Sequence, residues 1–290
     1  MNCAMNSMFG SLASNRFLLA RRIAQVSILG LFLTGPFFGL WVIKGNLNSS
    51  VLLDTIPLTD PFILTQSVFA GHLPELTAIS GAVFLAAFYF LLGGRVFCSW
   101  VCPLNIVTDT AFWLRRKLNI KGGWSPSSSI RFWFLGTILF VSLMTGYLAW
   151  ENINPVTMTH RGIINGIGLA WIFIAIVFVF DLLVAPRGWC GHLCPTGAFY
   201  ALLGHFGPLK IAAANRSACD DCGECYRICP EPQVLKPALK GPSNIITASV
   251  CNNCGRCIDV CPPNVFRFSL ITNNPTNSKL QQVETMETER

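Results

Sequence analysis

Four long apolar runs dominate the pattern of hydrophobic and polar positions along the chain. They cover residues 23–43, about 76–92, 132–150 and 163–185. A helix needs roughly 20 residues to cross the hydrocarbon core of a bilayer, and each run comes near that length. The pattern therefore predicts an α-helical membrane protein with four transmembrane helices. Pro36 lies inside the first run without polar neighbours, and it predicts a kink rather than an interruption.

The composition strengthens this interpretation, because 52% of the 290 residues are hydrophobic and only 12% are charged. A soluble globular protein carries about twice that share of charge. The first run is too long for the apolar core of a signal peptide, and no small-residue cleavage site follows it. We therefore expect an uncleaved, multi-pass protein.

The positions of the cations predict its orientation. Of 21 Lys and Arg, 3 precede the first run, 6 lie between the second and third, and 10 follow the fourth. The positive-inside rule then places both termini and the middle loop in the cytoplasm, with residues 44–75 and 151–162 outside. The net charge of +7 is thus explained by topology, and we expect lipid rather than nucleic acid as the partner of these cations.

Two cysteine runs near the C-terminus carry the most specific chemistry. Both fit the C-x2-C-x2-C-x3-C-P pattern of bacterial [4Fe-4S] ferredoxins, in which the fourth cysteine binds the other cluster. The spacing therefore predicts two clusters in a small α+β ferredoxin-like domain. Cluster one would be bound by Cys219, Cys222, Cys225 and Cys261, and cluster two by Cys251, Cys254, Cys257 and Cys229. Disulfides are disfavoured on the cytoplasmic side, and zinc sites seldom repeat three cysteines with Cys-Pro.

Four further cysteines form a repeated motif, Arg-x-aromatic-Cys-x3-Cys-Pro. Cys98 and Cys102 follow the second run, and Cys190 and Cys194 follow the fourth, 92 residues later. The chain therefore contains two parallel helix-pair repeats, whose pseudo-twofold axis would bring the four thiols together. Three functions remain open for them: a third metal or iron-sulfur centre, a redox-active dithiol pair, or reduced cysteines packed under the ferredoxin domain. Cys3, the thirteenth cysteine, is expected to be a plain thiol.

These features predict four segments of the chain. Residues 1–22 would be a cytoplasmic tail, residues 23–205 the four-helix membrane domain, residues 206–270 the ferredoxin domain, and residues 271–290 a disordered tail. Asp181 is the one acid inside a predicted span, and pairing with a border arginine is its simplest role. Asp60 and the other acids and histidines of the outer loops could fold back over the helices.

The chain resembles the NapH family, the ferredoxin-type membrane subunits of periplasmic nitrate reductase systems. The resemblance rests on the two Cys-x3-Cys-Pro motifs, on the double ferredoxin run, and on the stretches 97–105 and 188–197. Outer-loop segments such as Leu58-Thr-Asp-Pro61 and Gly71-His-Leu-Pro74 are also similar to that family.

This resemblance implies a quinol dehydrogenase component of the bacterial inner membrane. It would oxidise quinol and, with NapG, a periplasmic four-cluster ferredoxin, supply electrons to periplasmic nitrate reductase. It implies that the eight ferredoxin cysteines are cluster ligands. Two alternatives remain: a copper-handling or oxidase assembly factor that uses the four paired thiols, and a non-redox anchor that docks the periplasmic partner.

Overall fold

The computed structural model describes residues 15–270 except 40, 121, 125, 128, 167, 248, 262 and 263. Cys3, Pro262 and the predicted C-terminal tail lie outside the described residues. The α-helices are α1 Arg16–Phe38, α2 Pro61–Phe69, α3 Leu76–Leu92, α4 Leu104–Lys117, α5 Ile130–Thr145, α6 Pro155–Asn165, α7 Leu169–Val179, α8 Pro195–Leu203, α9 Glu224–Ile228, α10 Leu235–Lys240 and α11 Arg256–Asp259.

Five strands, three π-helical turns and three short 3-10 helices complete the regular structure of the described residues, the 3-10 helices being Gly204–Phe206, Arg216–Ala218 and Pro232–Val234. The strands are β1 Ile43–Gly45, β2 Ser49–Leu52, β3 Ile56–Thr59, β4 Leu209–Ala213 and β5 Phe266–Leu270. The first three form one antiparallel sheet, and β4 pairs with β5 in a second. The π-helical turns are Phe97–Val101, Phe180–Val184 and Trp189–Leu193.

The apolar helices overlap the predicted spans, and all of them except α3 differ from the predicted span in length. Among the described residues, α1 is the one helix that is both long and apolar enough to cross a membrane. The helices α3 and α5 and the segment Ala170–Val184 are apolar but shorter, at 10–17 residues. The molecule is mostly helical and has one clear candidate membrane helix.

The structure corrects the bounds of three predicted spans. The third, predicted at 132–150, ends at Thr145, because Gly146 adopts a left-handed conformation with φ of 69°. The first helix begins at Arg16, inside the predicted tail, and ends at Phe38, because Gly39 adopts a left-handed conformation with φ of 70°. Trp41 and Val42 lie outside the helix, and Ile43 begins β1. The fourth apolar run is also discontinuous, since α6 ends at Asn165 and α7 begins at Leu169.

Four shorter helices, α2, α4, α6 and α8, correspond in pairs between the two halves of the sequence repeat. Helices α2 and α6 begin at Asp60-Pro61 and Asn154-Pro155, where the Asx side chain accepts a hydrogen bond from the N–H two residues later, at 2.7 Å and 3.0 Å. Such N-caps stabilise a helix start, and proline is well suited to the first position. Helices α4 and α8 begin at the two Cys-Pro sequences. Each half thus comprises a first apolar helix, an Asx-Pro helix, a second apolar helix, a π-helical turn and a Cys-Pro helix.

The C-terminal unit has its own hydrophobic core and packs on one end of the helices. Ile211, Leu235 and Phe266 belong to this core, and Phe17 of α1 packs against it. Asp259 accepts hydrogen bonds from the Phe17 and Leu18 N–H groups, each at 3.2 Å. The start of α1 therefore lies on the same end of the bundle as the C-terminal unit.

Candidate iron-sulfur site

Two pockets in the C-terminal unit bring the eight ferredoxin cysteines together in two sets. The first pocket is lined by Cys219, Cys222, Cys225 and Cys261. The second pocket is lined by Cys229, Cys251, Cys254 and Cys257. These are the two sets that the sequence spacing predicts, including the exchange of the fourth cysteine between runs. Four thiols in the wall of one cavity are a donor set that suits a [4Fe-4S] cluster.

The backbone of each run turns sharply between its second and third cysteines. Gly223 and Gly255 have φ of 75° and 71°, a left-handed conformation that favours glycine, and they begin the short helices α9 and α11. Burial raises the pKa of the Cys225 and Cys251 thiols to about 11. Because iron binds thiolates, loading these pockets would release protons.

Cations surround the second pocket and favour negative charge in it. Arg95 and Lys210 lie within electrostatic reach of Cys251, and Arg187 lies within reach of Cys229. Lys210 is buried and donates to the Gly204 carbonyl at 2.8 Å. A cluster bound by four thiolates is anionic, so buried cations beside the pocket fit such a group.

The two pockets differ in their distance from the helices. Cys254 and Cys257 are buried, whereas Cys222 in the other pocket is exposed. The loop that contains Cys251 contacts the first π-helical turn, where Ser99 Oγ donates to the Asn252 carbonyl at 2.8 Å and Trp100 Nε1 donates to the Asn253 carbonyl at 3.2 Å. The second pocket therefore adjoins the helical bundle and the first faces outward.

The four paired thiols converge at the junction between the bundle and the C-terminal unit. Cys98, Cys102 and Cys190 share one hydrophobic cluster, and Cys194 lies against the adjoining one. Each of the four lies within electrostatic reach of the other three. Burial raises the pKa of Cys194 to about 11, and it also raises the pKa of Cys102 and Cys190, with the neighbouring thiols adding to the rise.

A buried ion network joins the thiol turns to the C-terminal unit. Glu231 follows the first Cys-Pro of the ferredoxin runs, and its Oε1 lies 3.2 Å from both Arg95 Nη1 and Arg131 Nη1. All three side chains are at most 4% exposed. Arg95 also donates to the Val250 carbonyl at 2.5 Å and to the Cys190 carbonyl at 3.1 Å. One arginine thus links both thiol motifs and the second pocket.

A second ion network lies around Asp109 of α4. Its carboxylate pairs with Arg21 at 3.2 Å, with Arg22 at 2.5 Å and with Arg187 at 3.0 Å. Burial alone would raise the pKa of Asp109, but the three guanidinium groups lower it below the ordinary aspartate value. Several cations that the charge pattern assigns to the cytoplasmic side therefore also form ion pairs within the fold.

Other residues singled out from the sequence have identifiable contacts. Asp181 is fully buried, its Oδ1 accepts a hydrogen bond from the Trp189 N–H at 2.9 Å, and the border residue Arg187 lies within electrostatic reach of it. Asp60 lies in a predicted outer loop, yet its Oδ1 is 3.3 Å from the hydroxyl of Tyr200 on α8. Burial raises the pKa of Asp60 to about 6.

Sequence reasoning missed Glu231, Asp109 and Arg131 as parts of the site. Their partners lie 78 to 136 residues away along the chain, for example Arg95 with Glu231. One sequence feature does point to the network: an arginine stands three residues before the first cysteine of each thiol motif, at Arg95 and Arg187.

Comparison with known proteins agrees with this chemistry. One family model, described as a 4Fe-4S binding domain, matches residues 75–121 and 167–212, which contain the paired thiols. A second model with the same description matches residues 216–232 and 248–268, which contain the two ferredoxin runs. No solved structure matches the chain.

Curated relatives resemble nearly the whole chain. The methylamine utilization ferredoxin-type protein MauN of Methylorubrum extorquens is 47% identical over 90% of this chain and 91% of its own length. The ferredoxin-type protein NapH of Haemophilus influenzae is 49% identical over 79% of each chain. NapH of Escherichia coli K12 is 48% identical over 77% of this chain and 78% of its own. The chain therefore belongs to the family of NapH and MauN ferredoxin-type electron-transfer proteins with 4Fe-4S domains.

Proposed function

We propose that this protein is an electron-transfer subunit of the bacterial inner membrane that takes part in quinol oxidation. It passes the electrons, with a NapG-like periplasmic four-cluster ferredoxin, to periplasmic nitrate reductase. The observation that carries the proposal is the pair of four-cysteine pockets fused directly to an apolar helical bundle.

The eight pocket cysteines are the proposed ligands of two [4Fe-4S] clusters. When bound, each cluster exchanges single electrons and offers no open coordination position for substrate chemistry. Arg95, Arg187 and Lys210 supply positive charge beside the second pocket. Cys222 lies at the exposed edge of the first pocket, on the side of the bundle that the charge pattern places in the cytoplasm.

The outer surface of the bundle supports insertion in a membrane. Each of the four long or apolar helices exposes large apolar side chains, such as Val26 at 61%, Phe84 at 58%, Phe140 at 60% and Ile176 at 58%. Exposing such a side chain to water rather than burying it costs about 1.5–3 kcal/mol. Lipid removes this cost. We therefore propose a multi-pass protein, and the distribution of Lys and Arg supports placing both termini in the cytoplasm.

Methylamine oxidation is a second candidate for the pathway that this subunit serves. The relatives named for methylamine utilization include one that covers 90% of the chain, whereas the NapH relatives cover 77% and 79%. Both candidates use the same clusters, but they serve different pathways.

Growth of a deletion strain of the native host discriminates between them. We expect the strain to lose growth that depends on periplasmic nitrate reduction and to keep growth on methylamine. Complementation with Cys251→Ser should fail, and complementation with Cys3→Ser should succeed. Loss of methylamine growth alone would transfer the proposal to the second pathway, and full nitrate growth with Cys251→Ser would refute the electron-transfer role.

A further inference from the structure

Lys210 is a buried lysine of β4 at the junction between the helical bundle and the C-terminal unit. The residue is 7% exposed. Its ammonium group donates hydrogen bonds to the Gly204 carbonyl at 2.8 Å and to the His205 carbonyl at 3.2 Å. In the described part of the chain, it forms no ion pair with an acid. A buried charge without a partner of opposite sign is costly. The fold therefore leaves an uncompensated positive charge at this junction.

The second pocket lies close to this lysine. Cys251, which lines the pocket, lies within electrostatic reach of the ammonium group. Asn253 connects the same loop to β4, since its Nδ2 donates to the Leu209 carbonyl at 3.0 Å and its Oδ1 lies 3.6 Å from Cys251 Sγ. Burial lowers the pKa of Lys210, and negative charge at Cys251 opposes this shift. An anionic group in the second pocket would therefore compensate the charge of the lysine.

The two arginines near the second pocket differ from Lys210, because each is paired with an acid. Arg95 lies 3.2 Å from the carboxylate of Glu231, and Arg187 lies 3.0 Å from the carboxylate of Asp109. A carboxylate beside a guanidinium group cancels much of its electrostatic effect at a distance. Lys210 has only carbonyl dipoles as partners, and these cancel less of its charge. Of the three cations, Lys210 thus acts on the pocket most strongly for its charge.

The first pocket has no buried cation in its described lining. The charged residues that line it are Asp220, Asp221 and Lys240. The side chain of Lys240 is 61% exposed and lies 3.4 Å from the Asp221 carboxylate. Water and the neighbouring carboxylate screen such a charge. The two pockets therefore differ in the electrostatic effect of the lysine beside them.

A buried positive charge affects the reduction potential of an iron-sulfur cluster. The potential depends on net charge, on hydrogen bonds to the sulfur atoms and on solvent exposure. Reduction makes the cluster more negative by one charge, so a nearby cation stabilises the reduced state and raises the potential. At an effective dielectric constant of about 20, two unit charges roughly 10 Å apart change an equilibrium about tenfold. For a one-electron couple, a tenfold change corresponds to about 59 mV.

We propose that Lys210 is the counter-charge of the second cluster and raises its reduction potential, which stabilises an electron at the pocket beside the helical bundle. Reduction adds one electron to this cluster, and no proton is transferred. This inference rests on the two clusters of the proposed function, which takes the electron from quinol. A purely structural role for Lys210, as a cap on the carbonyls after α8, would affect stability without a specific change in potential.

The test is a redox titration of the full-length protein, purified without oxygen in detergent and monitored by EPR. Cys254→Ser identifies the signal of the second cluster by removing it. Lys210→Met keeps the aliphatic stem and removes the charge. We expect this variant to lower the midpoint potential of the second signal by about 59 mV, a tenfold change in the redox equilibrium, while the first signal keeps its potential.

Two further variants separate charge from packing. Lys210→Arg restores the charge and should return the potential of the second signal to its wild-type value. Lys240→Met is the matched control, because it removes an exposed lysine beside the other pocket, and it should leave both potentials unchanged. If Lys210→Met does not accumulate, Lys210→Gln takes its place under the same criteria, since its amide can still donate a hydrogen bond.

Three results would overturn the role of Lys210: an unchanged potential when its charge is removed, an equal shift of both signals, or a shift in Lys210→Arg as large as in Lys210→Met. Absence of cubane signals in the wild type would contradict the proposed clusters and this inference with them. A wild type with both signals and a variant without a shift would contradict this inference alone. The two failures are therefore distinguishable.

Discussion

Removing the charge of Glu231 is the sharpest test of how the C-terminal unit, which contains the two cysteine pockets, is attached to the helical bundle. Its carboxylate is the common partner of Arg95 and Arg131, each at 3.2 Å, and all three side chains are buried. In Glu231→Gln the amide oxygen can still accept hydrogen bonds, so the substitution removes mainly the charge. Two guanidinium groups then remain buried with no anion between them.

The expected loss is about 3–5 kcal/mol of unfolding free energy, which is typical when one partner of a buried ion pair is removed. The assay is urea denaturation of the purified protein in detergent, followed by the visible absorbance of the clusters. Asp54→Asn is the matched control, because the Lys44–Asp54 pair is exposed at 45% and 64%. An exposed pair should change stability by about 0–1 kcal/mol.

A double-mutant cycle shows whether the loss comes from the pair itself. If it does, Arg131→Gln combined with Glu231→Gln costs less than the sum of the two single changes, by at least about 0.5 kcal/mol. A Glu231→Gln protein as stable as Asp54→Asn would refute the reasoning that this network holds the unit in place.

Three further predictions follow from single side chains. Cys222→Ser and Cys254→Ser should each lose about four iron and a different cubane EPR signal, since they line different pockets; loss of the same signal would contradict the assignment. The pKa of Asp109 is lowered in the folded protein, so the stability that its carboxylate contributes is present above pH ~4 and is lost as the pH falls. In Asp109→Asn the free energy of unfolding should therefore fall less steeply at acid pH, which denaturation measured against pH checks. The pKa of Asp60 is raised to about 6, so the stability that its protonated carboxyl group contributes to the fold is lost as the pH rises through 6. Asp60→Asn, which reproduces the Asn154 cap of the other half, should be at least as stable at pH 7, and a marked loss would contradict this.

The sequence predicted those parts of the molecule that depend on local pattern. The run at 76–92 matches α3 residue for residue, because apolar composition and Gly93 at its end both act locally. The two cysteine sets also follow from spacing, since a cubane requires ligands at fixed intervals. The lining of the two pockets agrees with that spacing.

Other features could not be predicted from hydropathy. The apolar run at 163–185 contains a helix boundary near Gly166, where φ is 85°, and apolar residues lie on both sides of it. The first run appears long because Trp41 and Ile43 are apolar, although the chain has left the helix by Gly39. The pairing of Arg95 with Glu231 joins residues 136 positions apart and depends on tertiary structure.

The Lys and Arg residues that the sequence assigns to the cytoplasmic side also have contacts that the sequence pattern could not predict. Counting Lys and Arg predicts an orientation, and the start of α1 does lie at the end of the bundle that holds the ferredoxin unit. Counting does not show that Arg21, Arg95 and Arg131 are at most 2% exposed and bound to acids. A residue's charge and its burial are separate properties, and only the fold determines the second.

The most direct test of the account is an EPR measurement on the full-length protein in lipid nanodiscs. The protein is reduced by dithionite, the excess reductant is removed, and a quinone analogue is added. We predict cubane signals in the reduced protein that disappear on addition of the quinone, with one signal missing in Cys254→Ser. Absence of cubane signals, or signals that the quinone leaves unchanged, would contradict an iron-sulfur relay coupled to quinol.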